Sequence, residues 1–149
     1  MEKRTIRRVA LVILFLVSGL TFAGCSSQRG GIAVAMADPA TLPAALAGEP
    51  RRVTEAYRFV AANPDVAKQM PCYCGCGPMG HTSNYDCFWQ ADGQVELHAT
   101  GCGICVDIAQ DVYQALGQGR SLAEIRAQID GDYSRFGPST DTPPVAALP

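Results

Sequence analysis

Residues 72–105 hold six of the chain's seven cysteines and both of its histidines. In order they are Cys72, Cys74, Cys76, His81, Cys87, His98, Cys102 and Cys105, spaced C-x-C-x-C-x4-H-x5-C-x10-H-x3-C-x2-C. No other feature limits the fold so strongly. A stretch this rich in thiols folds around what thiols do: they ligate metal, pair as disulfides or exchange electrons. Eight donors would fill two tetrahedral sites, or a thiolate-bridged cluster of several Cu(I) ions.

The spacing adds physical content. In an extended strand, Cys72-x-Cys74-x-Cys76 would present its side chains on one face about 6.6 Å apart. Sulfurs sharing a tetrahedral metal stand within roughly 4 Å of one another, given bonds of about 2.3 Å. The segment must therefore curl, with Gly75 and Gly77 allowing it, or stay open and bridge adjacent ions. Cys102-Gly-Ile-Cys105 has the bidentate metal spacing and sits at a predicted helix N-terminus, where the helix end favours thiolate. His98 lies beside these thiols if the chain turns locally, and His81 follows Met79-Gly80 in a polar loop. Met79 reads as filler rather than a thioether ligand. Tyr73, Phe88 and Trp89 read as packing that shields the site, and Asp86, Asp107 and Asp111 as surface charge.

Three readings stay open at this level. The first is a soft-metal site, for Cu(I) ahead of Zn, that sequesters or delivers the ion, with a metal transporter or acceptor protein as partner. The second is a disulfide-stapled binding module, since six cysteines permit 15 pairings. The third is thiol–disulfide exchange by Cys102 and Cys105, although no βαβ pattern surrounds them. Haem attachment is excluded because Val106 follows Cys105 where a histidine is needed. An iron–sulfur cluster is the least favoured of the metal options. No Ser/His/Asp set, phosphate loop or carboxylate pair appears, so nothing assigns a catalytic residue.

The compartment is read from the first residues, MEKRTIRRVALVILFLVSGLTFAGC. Lys3, Arg4, Arg7 and Arg8 precede an apolar run from Val9 to Phe22, then small residues before Cys25. Residues 1–24 thus read as a lipoprotein signal peptide, with Cys25 receiving lipid such as palmitate and becoming the first mature residue. The Arg7-Arg8 pair lacks the surroundings of a twin-arginine signal, so general secretion is favoured. Without these residues, 8 basic and 13 acidic side chains remain, a balance of about −5. That argues against nucleic acid, which needs a basic face. The expected location is extracytoplasmic, lipid-anchored to a bacterial membrane.

The mature chain divides by composition. Residues 25–50 read as lipid anchor and flexible tether, 51–136 as the Cys-rich domain, and 137–149 as a disordered Pro-rich tail. The expected fold is mainly α: three to four helices holding a long Cys-rich loop. The helices are predicted over 53–62, 64–70, 105–116 and 122–130, with Gly117 and Gly131 as stops and a Ser121/Glu124 capping box. One short strand is expected around Val95 to His98. So small a domain leans on metal or disulfides for stability.

The run Pro71-Cys72-Tyr73-Cys74-Gly75-Cys76, with Gly80-His81, Cys87-Phe88, His98, Cys102-x-x-Cys105 and Ile129-Asp130-x-x-Tyr133, resembles the bacterial proteins grouped under the name PCYCGC motif. The resemblance covers about residues 55 to 134. It implies an exported, often lipid-anchored protein and supports the ligand set. It implies no reaction, because the family is grouped as proteins of unknown function.

Overall fold

The computed structural model describes residues 34–146. The expected signal peptide and Cys25 lie outside the described residues. Four α-helices form among the described residues: α1 (Arg51–Ala62), α2 (Pro64–Ala67), α3 (Gly103–Gly117) and α4 (Leu122–Tyr133). Helix α3 packs against both α1 and α4. The mainly helical expectation holds. None of the described helices is long and apolar enough to cross a membrane.

Helix α1 buries Val53, Ala56, Tyr57, Phe59 and Val60 on one stripe. Its Phe59 meets Tyr113 of α3 edge to face at 5.6 Å. Asn63 closes it: the backbone N–H donates to the Phe59 and Val60 carbonyls, and the side-chain amide donates to Phe59 and Ala35. Pro64 then opens α2, where its missing N–H costs nothing.

Helix α3 begins two residues before the expected Cys105, with Cys102 at its N-cap. It also ends differently. The left-handed residue is Gly119 (φ 72°), not Gly117. The Arg120 N–H reaches the Ala115 carbonyl and the Gly119 N–H reaches Leu116, the paired bonds of a Schellman closure.

Helix α4 opens on the expected capping box, with Ser121 and Glu124 bonding reciprocally. It does not stop at Gly131 but runs on to Tyr133. Leu122, Ile125, Ile129 and Tyr133 form one buried stripe, and the Tyr133 hydroxyl donates to Asp111 of α3 at 2.7 Å. A glycine inside a helix costs about 1 kcal/mol, and the burial of Tyr133 outweighs it.

Between α2 and α3 the chain has only short 3-10 turns, at Gly77–Met79, Tyr85–Cys87 and His98–Thr100. The strand expected near Val95 is reduced to one antiparallel bridge between Trp89 and Val95. With five residues between the bridged pair, turning at Gly93 (φ 82°), no longer ladder develops. Side chains hold this loop instead. Phe88 is fully buried against Tyr57, at 4.9 Å between ring centroids, and contributes about 3 kcal/mol of apolar burial. The Tyr57 hydroxyl donates to the Glu96 carbonyl at 2.6 Å. Asp86 accepts from both the backbone and the hydroxyl of Thr82 and of Ser83, so it staples the loop rather than standing as free surface charge.

Parts of the expected tether and tail make specific contacts. Leu46 enters the core, and Ala37 and Arg58 exchange hydrogen bonds. After α4, Thr140 is buried and bonded to the backbone of Cys72, and Thr142 donates to the Thr82 carbonyl at 2.6 Å. Periodic apolar patterns, which composition arguments rely on, are absent from both segments because single side chains do the anchoring.

Candidate metal centre

The loop brings five sulfurs and both imidazoles together. After Pro71 the chain turns at Gly75 (φ 80°), a conformation that side chains on Cβ disfavour. Gly77 has no such role; it opens the 3-10 turn that Gly80 (φ 92°) closes. The curl places Cys72 and Cys74 sulfurs 3.3 Å apart. Cys105, in the first turn of α3, reaches in to 3.4 Å from Cys72 and 3.6 Å from Cys74. Cys87, on the Tyr85–Cys87 turn, lies 3.8 Å from Cys76. His98 Nε2 stands 3.4 Å from Cys74, and His81 Nδ1 stands 3.5 Å from Cys87. The two rings meet edge to face at 5.2 Å, although they are far apart in sequence.

None of the six described cysteines is bonded to another. Separations of 3.3–3.8 Å exceed the ~2.05 Å of a disulfide. They approach the edge of a tetrahedron with metal–sulfur bonds of about 2.3 Å, which is roughly 3.8 Å. Two four-donor groups have all ligand atoms within 4.8 Å of one another: Cys72, Cys74, Cys76 and Cys87, and Cys74, Cys87, His98 and Cys105. The cluster can therefore hold a metal ion. Cys102 and His81 flank it outside both groups. Met79 is 62% exposed and takes no part.

Cys72, Cys76, Cys87 and Cys105 are buried, while Cys74 and Cys102 are partly exposed. Crowding sorts their protons. A hydrogen bond from the Cys105 thiol, with another from Cys87, holds Cys72 down to about 2 against the opposing effect of burial. Cys74 is lowered to about 5, chiefly by a hydrogen bond from Cys87, with His98 assisting. The donors pay in kind: Cys87 is pushed well up by its bonds to Cys105 and Cys72, and Cys105 by its bond to Cys72. The expectation that Cys102 and Cys105 ionise readily at the helix terminus is thus overturned. Burial raises Cys102, and neighbouring sulfur outweighs the helix end at Cys105.

The supporting residues were largely silent in the sequence. Asn84, 1% exposed, donates from Nδ2 to the Cys105 carbonyl and from its N–H to Met70. Tyr73 is buried and donates to Asp130 of α4 at 2.6 Å. Thr140 grips Cys72 from both sides: its hydroxyl accepts from the Cys72 N–H at 2.9 Å, and its N–H donates to the Cys72 carbonyl at 3.0 Å. Asp107 stays about half exposed, as expected of surface charge, and pairs with Arg52, while Asp111 accepts from the Tyr133 hydroxyl.

Residues 16–145 match the family model described as "Protein of unknown function with PCYCGC motif". No curated protein and no solved structure matches the chain.

Proposed function

The chain belongs to the family of proteins of unknown function with a PCYCGC motif, and from its own donors we propose that it binds a soft metal ion, Cu(I) or Zn, for sequestration or delivery. One observation carries this reading. Unbonded sulfurs from distant parts of the chain converge to 3.3–3.8 Å in a largely buried pocket, with an imidazole at 3.4 Å. Buried thiols packed against one another gain little, whereas thiolates around a soft cation gain the full metal–sulfur bond energy. Exchange chemistry at Cys102 and Cys105 needs a readily ionised attacking thiol, and burial raises Cys102, the partly exposed member of the pair.

The proposal extends to place. The signal-like start and Cys25 support a lipid-anchored, extracytoplasmic protein that holds the ion near a membrane and passes it to a transporter or acceptor protein. Elemental analysis with a parallel thiol count, on chain prepared without air, tests the metal. Stoichiometric Cu(I) or Zn with protected thiols is expected, and failure to take up either ion at any pH where thiolates form ends the reading. Labelled palmitate tests the anchor. Label on the native chain but not on Cys25→Ala is expected, and equal label on both refutes it.

A further inference from the structure

We propose that a single divalent ion of the zinc class is held by the four sulfurs of Cys72, Cys74, Cys87 and Cys105, and that it enters and leaves by way of His98. This rests on the metal-binding reading and adds the ligand set, the nuclearity and the route of exchange. The two four-donor groups overlap in Cys74 and Cys87, and within each group all ligand atoms lie within 4.8 Å of one another. The first group thus brings Cys72 close to both shared sulfurs, and the second brings Cys105 close to both. Cys72 and Cys105 are themselves 3.4 Å apart. All four sulfurs are therefore mutually close, across the groups as well as within them. Three of the edges are 3.3, 3.4 and 3.6 Å, near the roughly 3.8 Å edge of a tetrahedron with metal–sulfur bonds of about 2.3 Å. A set this tight surrounds one ion, and a tetrahedron of thiolates is the arrangement zinc takes.

The remaining donors differ in access. Cys76 stands beside Cys72, Cys74 and Cys87, and His98 stands beside Cys74, Cys87 and Cys105. Each borders three of the four sulfurs, where one ligand can bond the ion before another lets go. Cys76 is buried, so its side is closed. His98 is partly exposed, as is Cys74, whose sulfur its Nε2 meets at 3.4 Å. An ion arriving from solvent therefore meets His98 and Cys74 first. The imidazole lone pair holds it in transit. The nitrogen–metal bond breaks as the last sulfur–metal bond forms, and each thiol that binds gives its proton to solvent. Four thiolates around a divalent ion leave two negative charges, which the α3 N-terminus at Cys102–Cys105 partly offsets. Release runs the same steps backwards, with His98 as the outermost ligand.

Zinc titration of the reduced native chain, then cobalt(II) in place of zinc, tests the ligand set. Saturation at one ion per chain is expected, with the intense sulfur-to-cobalt charge-transfer absorption and low-energy d–d bands of four thiolates. Saturation at any other non-zero number, or a cobalt spectrum of three sulfurs and a nitrogen, overturns the set while leaving metal binding intact. Refusal of zinc with uptake of Cu(I) does the same, and refusal of both ions ends the metal-binding reading as well. His98→Ala tests the route. Stopped-flow uptake of zinc and its release to a chelator should both slow about tenfold. Faster release, as from a site that has lost a ligand, or unchanged rates, overturns the route. His98→Gln keeps much of the side-chain volume without the ring nitrogen, and it gives the same reading if the alanine variant does not fold.

Discussion

His81 brings Nδ1 to 3.5 Å from the Cys87 sulfur yet belongs to neither four-donor group. It is placed to hydrogen-bond the Cys87 sulfur, and so to tune an ion bound at the proposed site rather than hold it. His81→Ala should weaken zinc affinity about ten- to a hundredfold with unchanged stoichiometry, read by competition with a chromogenic chelator. The protons at the sulfurs set a second expectation. Metal needs thiolates, so affinity falls as pH falls. Cys74 is already lowered to about 5 and Cys72 further. Initial capture should therefore persist to about pH 5 and fail below it, which stopped-flow zinc uptake across pH would show. All eight donors were legible in the sequence, because thiols and imidazoles confined to one segment are informative by type alone. Their division into the converging groups and the residues beside them was not. It depends on where an irregular loop turns, and on Asn84 and Thr140, which act through backbone groups and carry no pattern.

The three longer helices were legible because each buries a stripe with helical spacing, as Leu122, Ile125 and Ile129 do in α4; α2, read from Pro64, ends at Ala67 rather than at Met70. Their ends were less so. Gly117 and Gly131 looked like stops, but a glycine stops a helix only where the backbone turns left-handed, and Gly119 does that. Gly131 sits instead between buried Ile129 and Tyr133, whose contacts carry the helix past it. The Ser121/Glu124 box was readable because it is a local exchange of two hydrogen bonds. Ser121→Ala should lower unfolding free energy by about 1 kcal/mol in urea melts, without changing metal stoichiometry, since α4 bears no donor.

Across the whole molecule, an ion bound at the proposed site would link the irregular loop to the helical core. Cys105 belongs to α3 and Cys72 to the loop, so an ion bound to both groups stabilises the native state by mass action. At a free zinc concentration about a hundredfold above Kd the gain is about 2.7 kcal/mol. Chelation should therefore lower Tm by several degrees in calorimetry, and added zinc should restore it. The segment after α4 acts at the same scale. A Cβ at Gly137 would stand 2.9 Å from the Tyr73 carbonyl, too close for unmoved backbone. Gly137→Ala should push this segment off the cysteine loop and speed zinc release to a chelator. Thr140, which grips Cys72, follows it by 68 residues. A growing polypeptide thus exposes its sulfur-rich ribbon well before the residue that clasps it has been translated. Ions or oxidants met in that interval encounter an open ribbon, and only the finished domain offers a shut purse.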